Sequence, residues 1–157
     1  MVVKIRTVAA NNRQKAFVVV ARGKTYRLPY AKVNPRPRAG DRVAEVSVDP
    51  ELGCEGFTFR LASGKQGSVH IDQVLDYCQD PSYLRNLLLY RLTLEARRRI
   101  DDAGLSRREI IRRLGTSPAQ LYRLLDQTNY RKSVDQVLSL LAVLDCDVDL
   151  IVRAKTA

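Results

Sequence analysis

The amino-acid sequence predicts an α+β protein, with a small antiparallel β-rich domain at residues 1–79 and an all-helical domain at residues 80–157. Up to about residue 77, apolar and polar residues alternate in short runs, which is typical of half-buried strands. From Asp80-Pro81 onward the apolar spacing is helical, and three Ser-x-x-Glu/Gln sequences mark further helix starts. Two small domains fit a chain of 157 residues.

Three stretches of the first domain carry the strand pattern. AFVVVARGKTYRLPY predicts two strands around a turn at Gly23, and DRVAEVSV predicts a third. GFTFRLASGKQGSVHI predicts another pair, with Phe57, Phe59 and Leu61 on one face and a return strand that ends near Ile71. Between these hairpins, NPRPRAGD predicts a basic loop because its prolines and glycine disfavour regular structure.

The helical domain is predicted to begin at Asp80-Pro81, since Asp is a favoured N-cap and Pro a favoured first helical residue. The apolar residues that follow keep helical spacing, which predicts one helix to Gly104, or two joined near Thr93. This apolar stripe comprises Leu84, Leu87, Leu88, Leu92, Ala96, Ile100 and Ala103.

Three later helix starts are predicted by repeats of the capping-box pattern, in which a serine and the Glu or Gln three residues on bond each other's backbone N–H. The repeats are Ser106-x-x-Glu109, Ser117-x-x-Gln120 and Ser133-x-x-Gln136. Gly115 is suited to end the first of these helices, and Pro118 to open the second. The predicted core of the three helices comprises Ile110, Ile111, Leu114, Leu121, Leu124, Leu125, Val134, Val137, Leu138, Leu141 and Leu144.

Two short helices joined by a glycine-containing turn match the helix-turn-helix arrangement, whose second helix enters the major groove of DNA. GLSRREIIRRLGTSPAQLYRLLD resembles the Cro/CI-type (XRE-like) helix-turn-helix family, in its Gly-Leu-Ser start, its Leu-Gly before the turn and its serine at the second helix. With the following helix SVDQVLSLLAVL, the resemblance covers roughly residues 92–152. It implies a dimeric DNA-binding transcriptional regulator.

The ending LLAVLDCDVDLIVRA is similar to the C-terminus of antitoxin-type members of that family, where a short strand follows the last helix. Val148, Leu150 and Val152 alternate with Asp147, Asp149 and Ile151, a pattern compatible with a C-terminal strand. The antitoxin version implies an autorepressor that also holds a toxin protein.

The resemblance implies that bases are contacted from the start and outer face of the second helix. The implied base-contacting residues are Pro118, Ala119, Gln120, Tyr122 and Arg123. Among them Arg123 is the one suited to bidentate bonding with guanine, while Pro118 and Ala119 offer only apolar contact. The implied phosphate-contacting residues are Arg107, Ser117, Asn129, Tyr130, Arg131 and Lys132.

Charge placement favours the same function. The chain has 27 basic and 17 acidic residues, a net charge of +10, and such an excess favours polyanionic partners. Residues 97–132 contain ten basic and four acidic residues, whereas residues 133–157 contain two basic and four acidic ones. The expected partner is therefore double-stranded DNA, and a homodimer is expected because one helix with few polar base contacts is a weak reader. The C-terminal strand and the β-rich domain are the candidate dimer interfaces.

Two alternatives belong to other classes of protein. In a protein-interaction adaptor the helices would dock a partner protein and the arginines would form a solvated face. In an RNA-binding protein the basic β-rich domain would bind through Arg36, Arg38 and Arg42, but its strands lack exposed aromatic pairs for base stacking. That loop also suits a second nucleic-acid surface or a protein contact.

Catalysis, metals and cofactors are not expected. Cys54, Cys78 and Cys146 are widely spaced, which favours reduced thiols over a disulfide framework or a zinc site. His70 and Asp72 form the nearest approach to a site, but no other His and no Cys or Glu stands at ligand spacing. Without an apolar run of about 20 residues or a leader-like start, a cytoplasmic location without membrane contact is expected.

Overall fold

The computed structural model describes residues 2–155 and has a mixed α/β fold, with two three-stranded antiparallel sheets and five α-helices among these residues. The mixed class predicted from the sequence is confirmed. The strands are β1 (Ile5–Asn11), β2 (Ala16–Ala21), β3 (Lys24–Pro29), β4 (Val43–Val48), β5 (Gly56–Leu61) and β6 (Gln66–His70). The helices are α1 (Ile71–Tyr77), α2 (Pro81–Asp102), α3 (Arg107–Leu114), α4 (Pro118–Leu125) and α5 (Val134–Val143).

The chain divides into two compact units, Met1–Leu84 and Arg85–Ala157. In the first unit the strands pair in chain order, β1-β2-β3 in one sheet and β4-β5-β6 in the other. The predicted turn between β2 and β3 is confirmed: Arg22 and Gly23 both have positive φ angles, of 51° and 71°. Two such residues in succession match the twist of a two-residue hairpin.

The two sheets share one apolar core, at the centre of which lie aromatic rings. The ring centroid of Phe17 on β2 lies 5.0 Å from that of Phe57 and 5.1 Å from that of Phe59, both on β5. The ring centroid of Tyr30 lies 4.9 Å from that of Phe17. These tilted contacts are the favoured geometry for aromatic pairs, so they hold the sheets in a defined arrangement.

Two elements of this unit were not predicted from the sequence. Strand β1 buries Ile5 but leaves most of its other residues partly or fully exposed, so its apolar pattern is weak. Helix α1 begins directly where β6 ends: the Nδ1 atom of His70 accepts a hydrogen bond from the Asp72 backbone N–H at 3.1 Å. His70 is therefore a helix N-cap, and no metal-binding cluster of His, Cys, Asp and Glu occurs among residues 2–155.

Asp80 is the predicted N-cap of α2, and it is also the centre of a buried polar cluster. Its carboxylate accepts hydrogen bonds from Arg22 Nη2 at 2.9 Å, from the Tyr26 hydroxyl at 2.8 Å and from the Tyr83 backbone N–H at 3.1 Å. Burial by itself raises the pKa of Asp80, but these hydrogen bonds and the charge of Arg22 outweigh it and hold the pKa below its usual value. The carboxylate is therefore charged in the folded protein at neutral pH.

Helix α2 is one continuous helix of 22 residues, and the apolar stripe predicted for it is partly wrong. Its buried residues are Leu89, Thr93, Ala96 and Ile100, whereas Leu88 and Ala103 are exposed. Thr93 belongs to the core because its hydroxyl donates to the Leu89 carbonyl at 2.6 Å, which satisfies the polar atom. Among residues 2–155, no helix combines the length and the apolarity required to cross a membrane.

The predicted core of the three later helices is also partly wrong. On α5, the apolar spacing predicts that Val134 and Leu138 are buried, but both are exposed. Leu140, which is not in the predicted core, is fully buried. Only Ser133 and Gln136 form the complete capping box. At the two earlier serines only the serine half of the box forms.

The predicted C-terminal strand is not formed within residues 2–155, because residues 146–155 have no regular secondary structure. Val148, Leu150, Ile151 and Val152 are between 51% and 84% exposed. A strand requires a neighbouring backbone for its hydrogen bonds, and this segment pairs with no backbone among residues 2–155.

Replacing the central carboxylate tests the role of the buried cluster. Asp80→Ala should lower the free energy of unfolding by about 3 kcal/mol at pH 7, since it leaves Arg22 and Tyr26 without their acceptor and removes the cap. The exposed Asp76→Ala is the matched control and should change it by less than about 0.5 kcal/mol. Urea denaturation of the two variants measures both values.

The pH dependence of the same variant has a defined sign. A carboxyl group whose folded pKa is lowered stabilises the fold above the unfolded value, here 3.8, and that stabilisation is lost as the pH falls through the folded pKa. The difference between wild type and Asp80→Ala should therefore persist down to about pH 4 and shrink below it. A difference that grows below pH 4 contradicts this assignment.

Candidate nucleic-acid interface

In the second unit, α3 and α4 form a pair of short helices, and a serine side chain caps the N-terminus of each. The Ser106 hydroxyl accepts from the Glu109 backbone N–H at 3.1 Å, and the Ser117 hydroxyl accepts from the Gln120 backbone N–H at 3.2 Å. Gly115 ends α3 with φ 67° and ψ 38°, the left-handed conformation that glycine adopts without steric cost. Helix α3 therefore begins and ends, and α4 begins, where the sequence predicts.

Burial on one side of α4 determines which residues face outward. Leu121, Leu124 and Leu125 are at most 8% exposed and belong to one core with Ile110 of α3 and Leu140 of α5. Because side chains at i, i+3 and i+4 share a helix face, the remaining positions of α4 point away from this core. These positions are the five implied base-contacting residues, and all of them are exposed: Pro118, Ala119, Gln120, Tyr122 and Arg123.

Tyr122 and Arg107 are brought together, although they belong to different helices. The Arg107 guanidinium carbon lies 5.6 Å from the centre of the Tyr122 ring, a cation–π distance. Tyr122 is nevertheless 65% exposed. One implied phosphate contact thus lies beside one implied base contact on the same surface.

The arginines of α3 are not equivalent. The Glu109 carboxylate accepts from Arg112 Nη2 at 2.5 Å and from Arg113 Nε at 2.9 Å. These two hydrogen bonds lower the pKa of Glu109 to about 2. Within residues 2–155, Arg107 and Arg108 have no carboxylate partner, so the unbalanced charge lies at the start of α3.

The loop after α4 is folded by its own side chains. The Asp126 carboxylate accepts from the Thr128 backbone N–H at 2.9 Å. The Asn129 amide donates to the Arg123 carbonyl at 3.2 Å, and its oxygen accepts from the Arg131 backbone N–H at 3.1 Å. Asn129 therefore shapes the loop, whereas the Arg131 side chain is exposed and open to a phosphate.

A phosphate contact requires an exposed ammonium group, whereas the side chain of Lys132 is buried. It is only 5% exposed, and its Nζ atom donates to the carbonyls of Leu124 and Asp126, both at 2.8 Å. These carbonyls lie at the end of α4, where a helix has unpaired acceptors and its dipole favours a cation. Burial lowers the pKa of Lys132, partly offset by Asp126. The placement of Lys132 thus supports a structural role and not the implied one.

Arg85 contributes to this loop and was not identified from the sequence. Its guanidinium donates from α2 to the Tyr130 carbonyl at 2.9 Å and to the Lys132 carbonyl at 3.4 Å. Arg85 is separated from these two residues by 45 and 47 positions in the sequence, so no local sequence pattern predicts the contact. Tyr130, an implied phosphate contact, is half-buried beside it.

The structural role of Lys132 predicts a loss of stability. Lys132→Met keeps most of the buried side chain but leaves two carbonyls, one buried and one partly buried, without this donor, so the free energy of unfolding should fall by about 2 kcal/mol. The adjacent and exposed Arg131→Met is the matched control and should change it by less than about 0.5 kcal/mol. Urea denaturation followed by far-ultraviolet circular dichroism measures both. Equal stability of the two variants would contradict the capping role.

Comparison of the chain with protein-family models, curated proteins and solved structures gave no match. The resemblance of residues 92–152 to the Cro/CI-type family therefore stays a prediction.

Proposed function

We propose that the protein is a DNA-binding transcriptional regulator in which α3, the Gly115 turn and α4 form a helix-turn-helix. The observation that carries the proposal is the outer face of α4, where Tyr122 and Arg123 are exposed and Arg107 of α3 lies against Tyr122. A helix that is held by its neighbours and presents such a face has the form required to enter a major groove.

Sequence recognition is assigned mainly to Arg123, which has no acidic partner within residues 2–155 and suits bidentate bonding to guanine. Tyr122 and Gln120 add polar contacts, and Pro118 and Ala119 add apolar contact, for example to a thymine methyl group. Arg107 and Arg131 are assigned to the phosphate backbone, because both are exposed and neither has a carboxylate partner within residues 2–155. Because such contacts release counterions, binding should weaken steeply with salt.

A charge-removal series tests this proposal. Fluorescence anisotropy with the protein's own promoter duplex and with a random duplex should show about a 10- to 100-fold loss of promoter affinity for Arg123→Ala. Arg131→Ala should weaken both duplexes alike. Arg98→Ala removes the same charge from a residue paired with Glu95, and should change affinity by less than about twofold.

The outcomes of this series separate the alternatives. If Arg123→Ala binds both duplexes as the wild type does, α4 is not the reading helix. If the wild type binds neither duplex at low salt, the adaptor function is favoured, and the outer face of α4 becomes a candidate surface for a partner protein.

We further propose that the regulator acts as a homodimer, and that residues 148–152 pair with the same segment of a second copy. This segment has exposed apolar side chains, and its backbone has no strand partner among residues 2–155, two properties that favour strand addition. In the antitoxin version of the function, the same segment or the first unit would also hold a toxin protein.

Sedimentation equilibrium tests the dimer. The wild type should show a concentration-dependent mass that approaches twice that of the chain, and Leu150→Asp combined with Val152→Asp should weaken association at least tenfold, because charges oppose burial of the strands. Val2→Asp, at another exposed apolar residue, is the control. A monomer at every concentration would contradict the proposal.

A further inference from the structure

A cavity of about 400 Å³ in the first unit is lined by cations and by no acidic residue. Its basic lining residues are Lys15, Arg36, Arg38 and Arg42. They come from three segments: the turn between β1 and β2, the proline-rich loop after β3, and the residue just before β4. Charges of one sign that converge on a concave surface attract small ions of the opposite sign.

These four cations are not neutralised by the protein. Within residues 2–155, none of their side chains forms an ion pair or a hydrogen bond. Other cations of the same unit are engaged, for example Arg22 with Asp80 and Arg60 with Glu45. The four side chains around the cavity therefore keep their donors for another molecule.

The carboxylate next to Arg42 in the sequence, that of Asp41, is bonded outside the cavity. Asp41 lies between two of the arginines in sequence, but its carboxylate accepts from the Ser63 backbone N–H at 2.8 Å and from the Ser63 hydroxyl at 2.6 Å. These bonds lower the pKa of the Asp41 carboxyl group. Asp41 does not line the cavity. Its negative charge is thus committed to the turn between β5 and β6.

The walls of the cavity are held in place. The Asn12 side-chain oxygen accepts from the Val43 backbone N–H at 3.2 Å and from the Tyr30 hydroxyl at 3.0 Å, which ties the β1–β2 turn to the start of β4. Arg38 and Asp41 exchange two backbone hydrogen bonds, of 3.1 and 3.0 Å, which close the loop. A preformed wall lowers the entropic cost of binding a ligand.

We infer that this cavity is a binding site for a small ligand that carries two or more linked phosphate groups, such as a nucleoside diphosphate or inorganic pyrophosphate. Guanidinium groups match phosphate oxygens in pairs of hydrogen bonds, and several cations are required to balance a multiply charged anion. The volume lies in the range of small-molecule sites, about 300–1,000 Å³. The site uses no residue of α4 or of the proposed DNA contact.

Isothermal titration calorimetry of the full chain with inorganic pyrophosphate tests the inference. The wild type should bind at low ionic strength, and Arg36→Gln and Arg42→Gln should each weaken binding about tenfold. Arg6→Gln is the matched control: it removes one exposed charge of the same unit away from the cavity and should change binding less than about twofold. Circular dichroism of the three variants should match that of the wild type.

Three outcomes would overturn the inference. In the first, the wild type fails to bind pyrophosphate at millimolar concentration. In the second, Arg6→Gln weakens binding as much as the cavity variants do, so that net charge alone explains the attraction. In the third, a single-stranded oligothymidylate without terminal phosphates binds in a manner that requires Arg36 and Arg42, while pyrophosphate does not bind. The cavity would then be part of a nucleic-acid surface.

Discussion

The burial of Leu121, Leu124 and Leu125 is the constraint on which the proposed function depends. These side chains leave α4 only one orientation against α3 and α5, because turning the helix would expose them to water at a cost of about 2 kcal/mol each. Tyr122 and Arg123 are consequently held outward. Lys132 completes the arrangement by binding the carbonyls at the end of the same helix.

Features set by local chemistry were predictable from the sequence. Gly115 ends α3, Ser117 and Pro118 start α4, and Phe57, Phe59 and Leu61 line one face of β5, because each depends on residues a few positions apart. The outer face of α4 also follows from spacing alone. Most of the residues of the candidate recognition surface could therefore be predicted from the sequence.

Features set by contacts between distant residues were not predictable. Thr93 is buried in the core because its hydroxyl donates a hydrogen bond to a helix carbonyl. Lys132 is buried because its ammonium group donates to two carbonyls. The cavity of the first unit depends on three segments that converge only in the fold. A sequence counts all arginines alike, whereas the structure separates those neutralised by Glu95 and Glu109 from those left open.

The carboxylate shared by Arg112 and Arg113 also makes the charge of α3 insensitive to acidity. With the pKa of Glu109 at about 2, α3 keeps the same ionic state at every pH a cell experiences. The chain contains a single histidine, and it caps α1 in the other unit. A change of pH near neutrality therefore leaves the ion pairs of α3 in place.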